Sequence, residues 1–301
     1  MIDVKKIDIH AHSTAWPETF MPWHSTNERF PSAEELIAIY DKLNIEKGVL
    51  LPLYSAEGQW ELMTSQNCKY IADKYPDRFV WFCGVDPRAG RNAENTDLSY
   101  LLKFYQNIGA RGMGELTAQL YADAPQMDNL FAHCSQCDMP VIIHIAPQFG
   151  GGYGIVDDLG LPRLEKMLKK HPQLKLIGHS QPFWSEMSAE LTQENRNTYP
   201  TGKVIEGRLP KMMRENPNLY CDLSARSGAN ALMRDPEYAA RFVEEFSDRI
   251  LYGCDFCSAN ETHQFRFNDF LTQMVEAGYI SQENYVKIVR TNALRILKLD
   301  S

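Results

Sequence analysis

The sequence predicts a (β/α)8 barrel, a closed ring of parallel strands surrounded by helices. Its 301 residues are enough for one such barrel. Short apolar runs alternate with amphipathic helical patterns, and several runs are apolar almost throughout, as strands buried on both faces are. An open doubly wound sheet is the alternative, but the first strand-to-helix turn lacks the Gly-x-Gly-x-x-Gly pattern of a dinucleotide site. We therefore expect residues 1–301 to form a single barrel domain.

The predicted strands are runs of β-branched or apolar residues bounded by turn-forming residues. In chain order they are Ile7–His12, Lys47–Leu53, Phe79–Asp86, Gly112–Leu116, Pro140–Ala146, Leu174–His179, Leu219–Leu223 and Ile250–Asp255. Eight runs in this order match the eight strands that the barrel requires.

Amphipathic helical patterns fill the segments between the strands. The first opens with a capping box, in which Ser32 is the N-cap and Glu35 follows three residues later. The others run from about Glu61–Tyr75, Asp97–Asn107, Met127–Cys137, Leu161–His171, Val204–Asn216, Pro236–Phe246 and Gln264–Ala277. A last helix, Ser281–Leu299, is expected to pack on the outside of the barrel.

Composition limits the partners and the compartment. The formal net charge of −8 and the lack of a long Lys/Arg run argue against nucleic acid as a partner. No apolar stretch approaches the ~20 residues of a membrane span, and the N-terminus lacks a signal-peptide pattern. We expect a cytoplasmic protein that acts on a small molecule. We also expect it to form a homo-oligomer, namely a dimer.

The cysteine pattern predicts reduced thiols. Seven Cys residues are an odd number, and the chain shows no export signal that would favour disulfides. The two C-x-x-C pairs, Cys134–Cys137 and Cys254–Cys257, lie more than a hundred residues apart. A structural zinc site usually keeps its pairs about 15 to 20 residues apart, so we reject a four-thiolate site.

Metal-ligating side chains fall where the barrel predicts an active site, at the carboxyl ends of the strands. They are His10 and His12 on strand one, Glu115 on strand four, His144 on strand five, His179 on strand six and Asp255 on strand eight. Each alone has an ordinary alternative: His144 as a core histidine, Glu115 as an ion-pair partner of Arg111, and Asp255 as a turn cap. Buried together without a cation, they would leave charges and lone pairs unpaired.

This ordered set resembles the amidohydrolase superfamily of metal-dependent barrels, and most closely the amidohydrolase-related branch that includes aminocarboxymuconate-semialdehyde decarboxylase. The resemblance implies that a divalent ion, most often zinc and alternatively manganese, is held by His10, His12, His144 and Asp255. It also places His179 beside the metal-bound water. The lysine that many binuclear members carry on strand four is absent, and Glu115 stands at about that place. In a binuclear site, Glu115 and His179 would be further ligands.

Two reactions fit this set of residues. The first is hydrolysis of an amide, ester or lactone of a small organic acid, with Asp255 accepting the proton of the water and His179 orienting it. The alternative is nonoxidative decarboxylation of an aromatic or dienoic acid by the same residues. A catalytically silent metal-binding protein is a third interpretation, because fold alone does not give function.

Substrate contacts are predicted from the loops that follow the strands. Phe149, Tyr153 and Trp184 lie on loops after strands five and six and suggest a flat or apolar substrate. The alternative is that these rings pack on the loops or across an oligomer interface. Arg226, just after strand seven, is the cation predicted to hold a substrate carboxylate, with an ordinary surface arginine as the alternative.

Overall fold

The computed structural model describes residues 3–57 and 62–299. Its strands are β1 (Lys6–Ala11), β2 (Ile45–Leu50), β3 (Phe79–Trp81), β4 (Met113–Leu116), β5 (Val141–Ala146), β6 (Ile155–Val156), β7 (Leu176–His179), β8 (Leu219–Asp222) and β9 (Ile250–Leu251). All strands but β6 overlap the predicted ones, some of them shortened at their ends. The unpredicted strand β6 lies in the loop after β5 and pairs with it in parallel.

Backbone hydrogen bonds close the strands into a ring. The parallel ladders run β1-β2-β3 and β4-β5-β7-β8-β9. At one seam, Cys83 donates to Gly112 at 2.9 Å and accepts from Gly114 at 3.0 Å. At the other, Ile9 donates to Tyr252 at 3.0 Å and Asp255 donates to His10 at 2.9 Å. The predicted (β/α)8 barrel is confirmed.

Side chains fill the interior of the ring. On β2 and just after it, Val49 and Leu51 point inward, whereas Leu50 packs with the surrounding helices. The inward-pointing strand residues form one apolar cluster, which consists of Ile7, Ile9, Val49, Leu51, Phe82, Ile142, Ile177 and Leu251. Burial of apolar surface on both faces of the strands stabilises the ring by about 25 cal/mol per Å².

Helices surround the ring at α1 (Ala33–Leu43), α2 (Ser65–Lys74), α3 (Ser99–Asn107), α4 (Pro125–Gln136), α5 (Pro162–Lys170), α6 (Gln181–Ser185), α7 (Arg208–Glu215), α8 (Ala225–Met233), α9 (Pro236–Phe246), α10 (His263–Glu276), α11 (Gln282–Val286) and α12 (Asn292–Leu297). The predicted capping box is present, since Ser32 Oγ accepts from Glu35 N and the Glu35 carboxylate accepts from Ser32 N. The predicted start of the second helix, Glu61, lies outside the described residues. Helices α6 and α8 were not predicted.

The end of the chain differs from the prediction. Ser281–Leu299 is not one helix on the outside; α11 and α12 flank a π-helical turn at Lys287–Thr291. Ala293, Ile296 and Leu297 of α12 belong to the same apolar cluster as the barrel interior, together with Val80 and Tyr220 near the starts of β3 and β8. The helix therefore covers the amino-terminal opening of the barrel, because that opening exposes interior apolar surface that the outer helices do not reach.

The sequence also made predictions about the cysteines and about membrane-spanning segments. All seven cysteines are free thiols, as the odd count predicts. Over the described residues, no helix combines the length and the apolar character needed to cross a bilayer.

Candidate metal centre

The structure brings the six predicted ligand residues together at the carboxyl ends of the strands. The Nε2 atoms of His10 and His12 lie 3.0 Å apart. Glu115 Oε2 lies 3.5 Å from the Nε2 of His10 and 3.3 Å from that of His12. Asp255 Oδ1 lies 3.5 Å from both of these nitrogens, and its Oδ2 lies 3.6 Å from His179 Nε2.

His144 completes the centre from β5. Its Cα is the register partner of His179 on β7, which places the two rings 5.4 Å apart. Potential ligand atoms of Glu115, His144 and His179 all lie within 4.8 Å of one another, as do those of His10, His12 and Glu115 and those of His10, His179 and Asp255. Parallel pairing of adjacent strands thus aligns residues more than thirty positions apart in sequence.

Strand β1 departs from simple alternation at this site. The pairing of β1 with β2 is irregular between Asp8 and Ala11. Ile9 packs in the barrel interior, and the His10 ring also faces residues of other barrel strands. Asp8 instead accepts hydrogen bonds from the Tyr40 hydroxyl at 2.6 Å and from the backbone of Cys254 at 2.8 Å. Asp8 therefore ties β1 to α1 and to the segment after β9.

Outer hydrogen bonds fix the two histidines of β1. His12 Nδ1 donates to the Leu51 carbonyl at 3.0 Å, and His10 Nδ1 donates to Asp222 Oδ2 at 2.7 Å. Carbonyl and carboxylate oxygens only accept, so the proton of each neutral ring sits on Nδ1. The Nε2 lone pairs are left facing the centre, which is the tautomer that a metal ion requires.

Asp222 is a further residue of this candidate centre, which the sequence analysis did not identify. It is fully buried at the end of β8, and its Oδ2 contacts His10 Nδ1 and also His179 Nδ1, the latter at 3.1 Å. The Ser224 hydroxyl donates to the same oxygen at 2.7 Å and lies 3.0 Å from His179 Nδ1. The signal in the sequence was a lone carboxylate at the carboxyl end of a predicted barrel strand.

A glycine allows Glu115 to reach the centre. Gly114 has φ of +125°, a region that other residues rarely adopt. A Cβ atom at Gly114 would lie 2.4 Å from the Ile142 carbonyl oxygen of the neighbouring strand. Any larger residue would therefore push β4 away from β5 and displace Glu115.

Charge in the centre is unbalanced without a cation. Burial opposes the ionisation of Glu115, Asp222 and Asp255, but the adjacent imidazoles hold the pKa of each carboxyl well below its usual range. Burial also disfavours the charged form of His179, yet Asp222 and Asp255 raise the pKa of this ring to about 9. The carboxylates thus favour protonation of the imidazole rings, because the centre otherwise lacks positive charge. A bound divalent cation would supply positive charge in place of these protons.

Two buried atoms lack partners, which supports a cation at this place. Glu115 Oε1 and His144 Nδ1 have no hydrogen-bond partner within the described part of the chain. Burial lowers the pKa of His144 to about 4, so this ring is neutral and offers a lone pair. Buried polar atoms are normally paired, and the nitrogen and carboxylate donors here suit a zinc or manganese ion. The residues present thus fit a divalent metal.

A cavity of about 420 Å³ opens over the centre. Its apolar wall includes the rings of Trp23, Phe30 and Tyr153. Its rim carries the carboxylates of Glu28 and Glu261, and no Lys or Arg is among its described lining residues. The space admits a small, partly flat molecule whose reacting group meets His12, Glu115 and Asp255.

The predicted substrate residues divide into two groups. Tyr153 lines the cavity, and its ring lies 4.3 Å from that of His144. Trp184 does not reach it, because α6 buries this residue and its indole nitrogen donates to the Asp222 carbonyl at 2.8 Å. Phe149 is 47% exposed and packs edge-on against Tyr121. Arg226 lines a neighbouring cavity instead.

The family of the chain follows from a comparison of its whole length with family models. The model described as amidohydrolase matches residues 7–299. The chain belongs to this amidohydrolase family. The match includes every residue of the metal centre, and the resemblance predicted from the ordered strand-end ligands is confirmed.

Solved structures share the fold of this chain at low sequence identity. A probable 2-pyrone-4,6-dicarboxylic acid hydrolase from Acinetobacter baumannii is 14% identical, with 98% of this chain and 100% of that chain covered and a TM-score of 0.61. A 2,6-dihydroxybenzoate decarboxylase from Rhizobium is 18% identical, with 98% and 99% covered and a TM-score of 0.55. No curated protein matches the chain.

Another similar structure contains a metal. It is a dihydroxybenzoic acid decarboxylase from Polaromonas sp. JS666 with bound manganese and the inhibitor 2-nitroresorcinol. It is 19% identical to this chain, with 98% of this chain and 97% of that chain covered and a TM-score of 0.58. The neighbours thus include both hydrolases and decarboxylases on one fold.

Proposed function

We propose that this amidohydrolase is a metal-dependent hydrolase that cleaves an amide, ester or lactone of a small organic acid. The observation that carries the proposal is the position of Glu115. Its carboxylate belongs both to a group with His10 and His12 and to a group with His144 and His179. A carboxylate between two sets of imidazoles can bridge two ions, an arrangement that activates water in many hydrolases.

The ligands that we propose for the primary ion are His10, His12, His144 and Asp255, with zinc as the metal and manganese as the alternative. Glu115 and His179 would complete a second position. A bound divalent ion would lower the pKa of its water to near 7 and polarise a substrate carbonyl. The protein itself fixes the Nε2 atoms of the β1 histidines and keeps the centre buried.

Proton transfer is assigned to Asp255. Its Oδ2 is the carboxylate oxygen near His179, 3.6 Å from Nε2. His179 is in turn held through Nδ1 by Asp222 and Ser224. We propose that Asp255 accepts the proton of the attacking water and passes it to the leaving atom, while His179 orients the reacting oxygen.

Substrate binding is assigned to the cavity over the centre. Tyr153 offers an aromatic face beside His144, as predicted from the sequence. Arg226 lies outside this cavity but is exposed in the first turn of α8, two residues after Ser224. It remains the residue that we propose to hold a substrate carboxylate extending past the rim.

The metal content of the purified protein tests the proposal. Elemental analysis of protein prepared without added metal should give about two ions per chain in the wild type and about one in Glu115→Gln. Glu261→Gln is a matched control, because its carboxylate lines the same cavity but belongs to none of the ligand groups. One ion in both wild type and Glu115→Gln would favour a mononuclear site, and none in either would refute the metal centre.

A decarboxylase is the second candidate. It is favoured by the decarboxylase structures similar to this chain and by the aromatic wall of the cavity, which suits an aromatic or dienoic acid. Products formed in ¹⁸O-labelled water distinguish the two reactions. Hydrolysis places the label in the product, whereas decarboxylation releases carbon dioxide and adds only a proton to carbon.

A further inference from the structure

A second cavity, of about 600 Å³, lies between α8 and α10. Three arginines line it: Arg226 and Arg234 from α8 and its end, and Arg266 from α10. Asn230, Thr262 and His263 add further polar groups. Among the described residues that line this cavity, none is acidic. We call it the arginine groove.

The spacing on α8 aligns the groove along the helix. Arg226, Asn230 and Arg234 stand at i, i+4 and i+8, so they follow one face of the helix. That stripe is about 12 Å long at the rise of an α-helix. Arg266 lies one turn into α10 and faces the same space. The groove therefore presents guanidinium groups from two elements to one ligand.

The three arginines of the groove belong to the half of this chain's arginines that form no ion pair with a carboxylate of the described segments. Within these segments, eight of the sixteen arginines form ion pairs with carboxylates: Arg29, Arg78, Arg88, Arg163, Arg196, Arg208, Arg214 and Arg290. Within those segments, Arg226 and Arg266 form no hydrogen bond or ion pair, and Arg234 donates only to the Ser188 hydroxyl. Guanidinium groups that form no direct ion pair, in a protein of net charge −8, are available to an anion.

Two buried atoms in the groove support a ligand there. Arg234 Nε and His263 Nδ1 are shielded from solvent and have no hydrogen-bond partner in the residues that the structure describes. A guanidinium nitrogen can only donate, so its natural partner is an oxygen acceptor. A ligand with anionic oxygens would satisfy Arg234 and neutralise the neighbouring guanidinium groups.

The groove is separate from the metal centre and opposite to it in charge. The cavity over the metal ligands contains four carboxylates, from Glu28, Glu115, Asp255 and Glu261, and shares no lining residue with the groove. An anion that does not reach the metal ion would be repelled by the carboxylates at the rim of that cavity. The same anion would be attracted to the guanidinium groups of the groove.

We propose that the arginine groove is an anion-binding site for a small ligand that carries a doubly charged group, either a phosphate or a pair of carboxylates. Bidentate contacts from Arg234 and Arg266 hold the anionic oxygens, and Arg226 binds at the end nearest the barrel mouth. Arg226 is also the residue proposed to hold a substrate carboxylate, but the contacts from Arg234 and Arg266 do not depend on the reaction at the metal centre.

Calorimetric titration of the full-length protein, as purified, tests this site with inorganic phosphate and, separately, with succinate. At least one anion should bind saturably to the wild type, and the one that binds identifies the ligand class. Affinity should fall by about tenfold or more in Arg234→Gln/Arg266→Gln, because two charge-assisted contacts are lost. Arg111→Gln, which removes an exposed arginine far from the groove, should bind like the wild type.

The outcomes separate the groove from the metal centre. Anions bound to the metal would keep their affinity in the double variant, and that result would overturn the proposal. The absence of saturable binding by either anion would also overturn the proposal. A variant that changes only the oligomeric state would overturn it as well, because the groove would then be an interface between subunits. Arg266→Gln alone keeps the test valid if the double variant fails to fold, because Arg266 is exposed and makes no described contact that folding requires.

Discussion

The two ends of the barrel both contain buried side chains, but these side chains are chemically opposite. At the amino-terminal opening, Ile296 and Leu297 of α12 close an apolar interior. At the carboxyl end, His10 and Asp222 are fully buried, yet both are polar and ionisable. Burial stabilises the first end through removal of apolar surface from water, whereas at the second it costs free energy unless each charge has a partner.

Strand β1 shows the same contrast within six residues. Ile7 and Ile9 contribute to the apolar interior, and His10 and His12 contribute to the metal centre. One end of the strand therefore packs in the apolar core, and the other belongs to the proposed metal centre. Substitutions at the two ends should accordingly change different measured quantities.

The largest effect is expected at the metal centre. Asp255→Asn should lower turnover by on the order of 10²- to 10⁴-fold, because it removes a ligand and the proton acceptor. It removes no core volume, so the melting temperature should stay within a few degrees of the wild type. Asp269→Asn, an exposed carboxylate on α10, is the matched control. Turnover like that of the wild type in Asp255→Asn would refute the site assignment.

The opposite result is expected at the other end. Ile296→Ala should lower the free energy of unfolding by about 2–5 kcal/mol, because it leaves a cavity in the apolar cluster. Denaturant unfolding measures this change. Metal content per folded chain should be unaffected, and loss of metal without loss of stability would contradict the separation of the two ends.

The pH dependence of stability sharpens the comparison. In chelator-treated protein the carboxylates of Asp222 and Asp255 raise the pKa of His179 from 6.5 to about 9 against the effect of burial. The stabilisation from protonated His179 is complete below pH 6.5 and is lost as the pH rises through 9. The shift corresponds to about 3 kcal/mol.

Thermal unfolding at pH 6.5 and pH 9 measures this loss. His179 shares the centre with the side chains of His10, His144 and Glu115. The fall in stability therefore reports the titration of these side chains together and not of one imidazole ring alone. Metal-loaded protein should lose less stability over the same range, because the cation replaces the proton. An equal fall in the melting temperature of the metal-loaded and the chelator-treated protein would show that the titrating group lies outside the metal centre.

The smallest effect is expected at Asp222. Asp222→Asn should weaken metal binding by about 10- to 100-fold, because it disturbs the ring orientation of His10 and His179 without removing a ligand. Competition with a chelator of known affinity measures the change. Asp248→Asn, an exposed carboxylate between α9 and β9, should bind metal like the wild type. A full loss of metal in Asp222→Asn would make Asp222 a ligand itself.

The barrel and six residues of the candidate metal centre could be predicted from the sequence alone. Alternation of apolar strands with amphipathic helices specifies a parallel ring, and the ring brings all strand ends to one place. The sequence therefore predicts one shared site for six residues at the strand ends. They are His10, His12, Glu115, His144, His179 and Asp255. This inference needs only the position of each residue within its strand.

Contacts between elements that are far apart in the chain could not be predicted from the sequence. Asp222 is 212 residues from His10, and no local pattern encodes the hydrogen bond between them. The same applies to Trp184, which was expected at the substrate but is buried against the Asp222 carbonyl, and to α12, which closes the barrel instead of lying outside it. Periodicity records which face of an element is apolar, but only packing decides what that face meets.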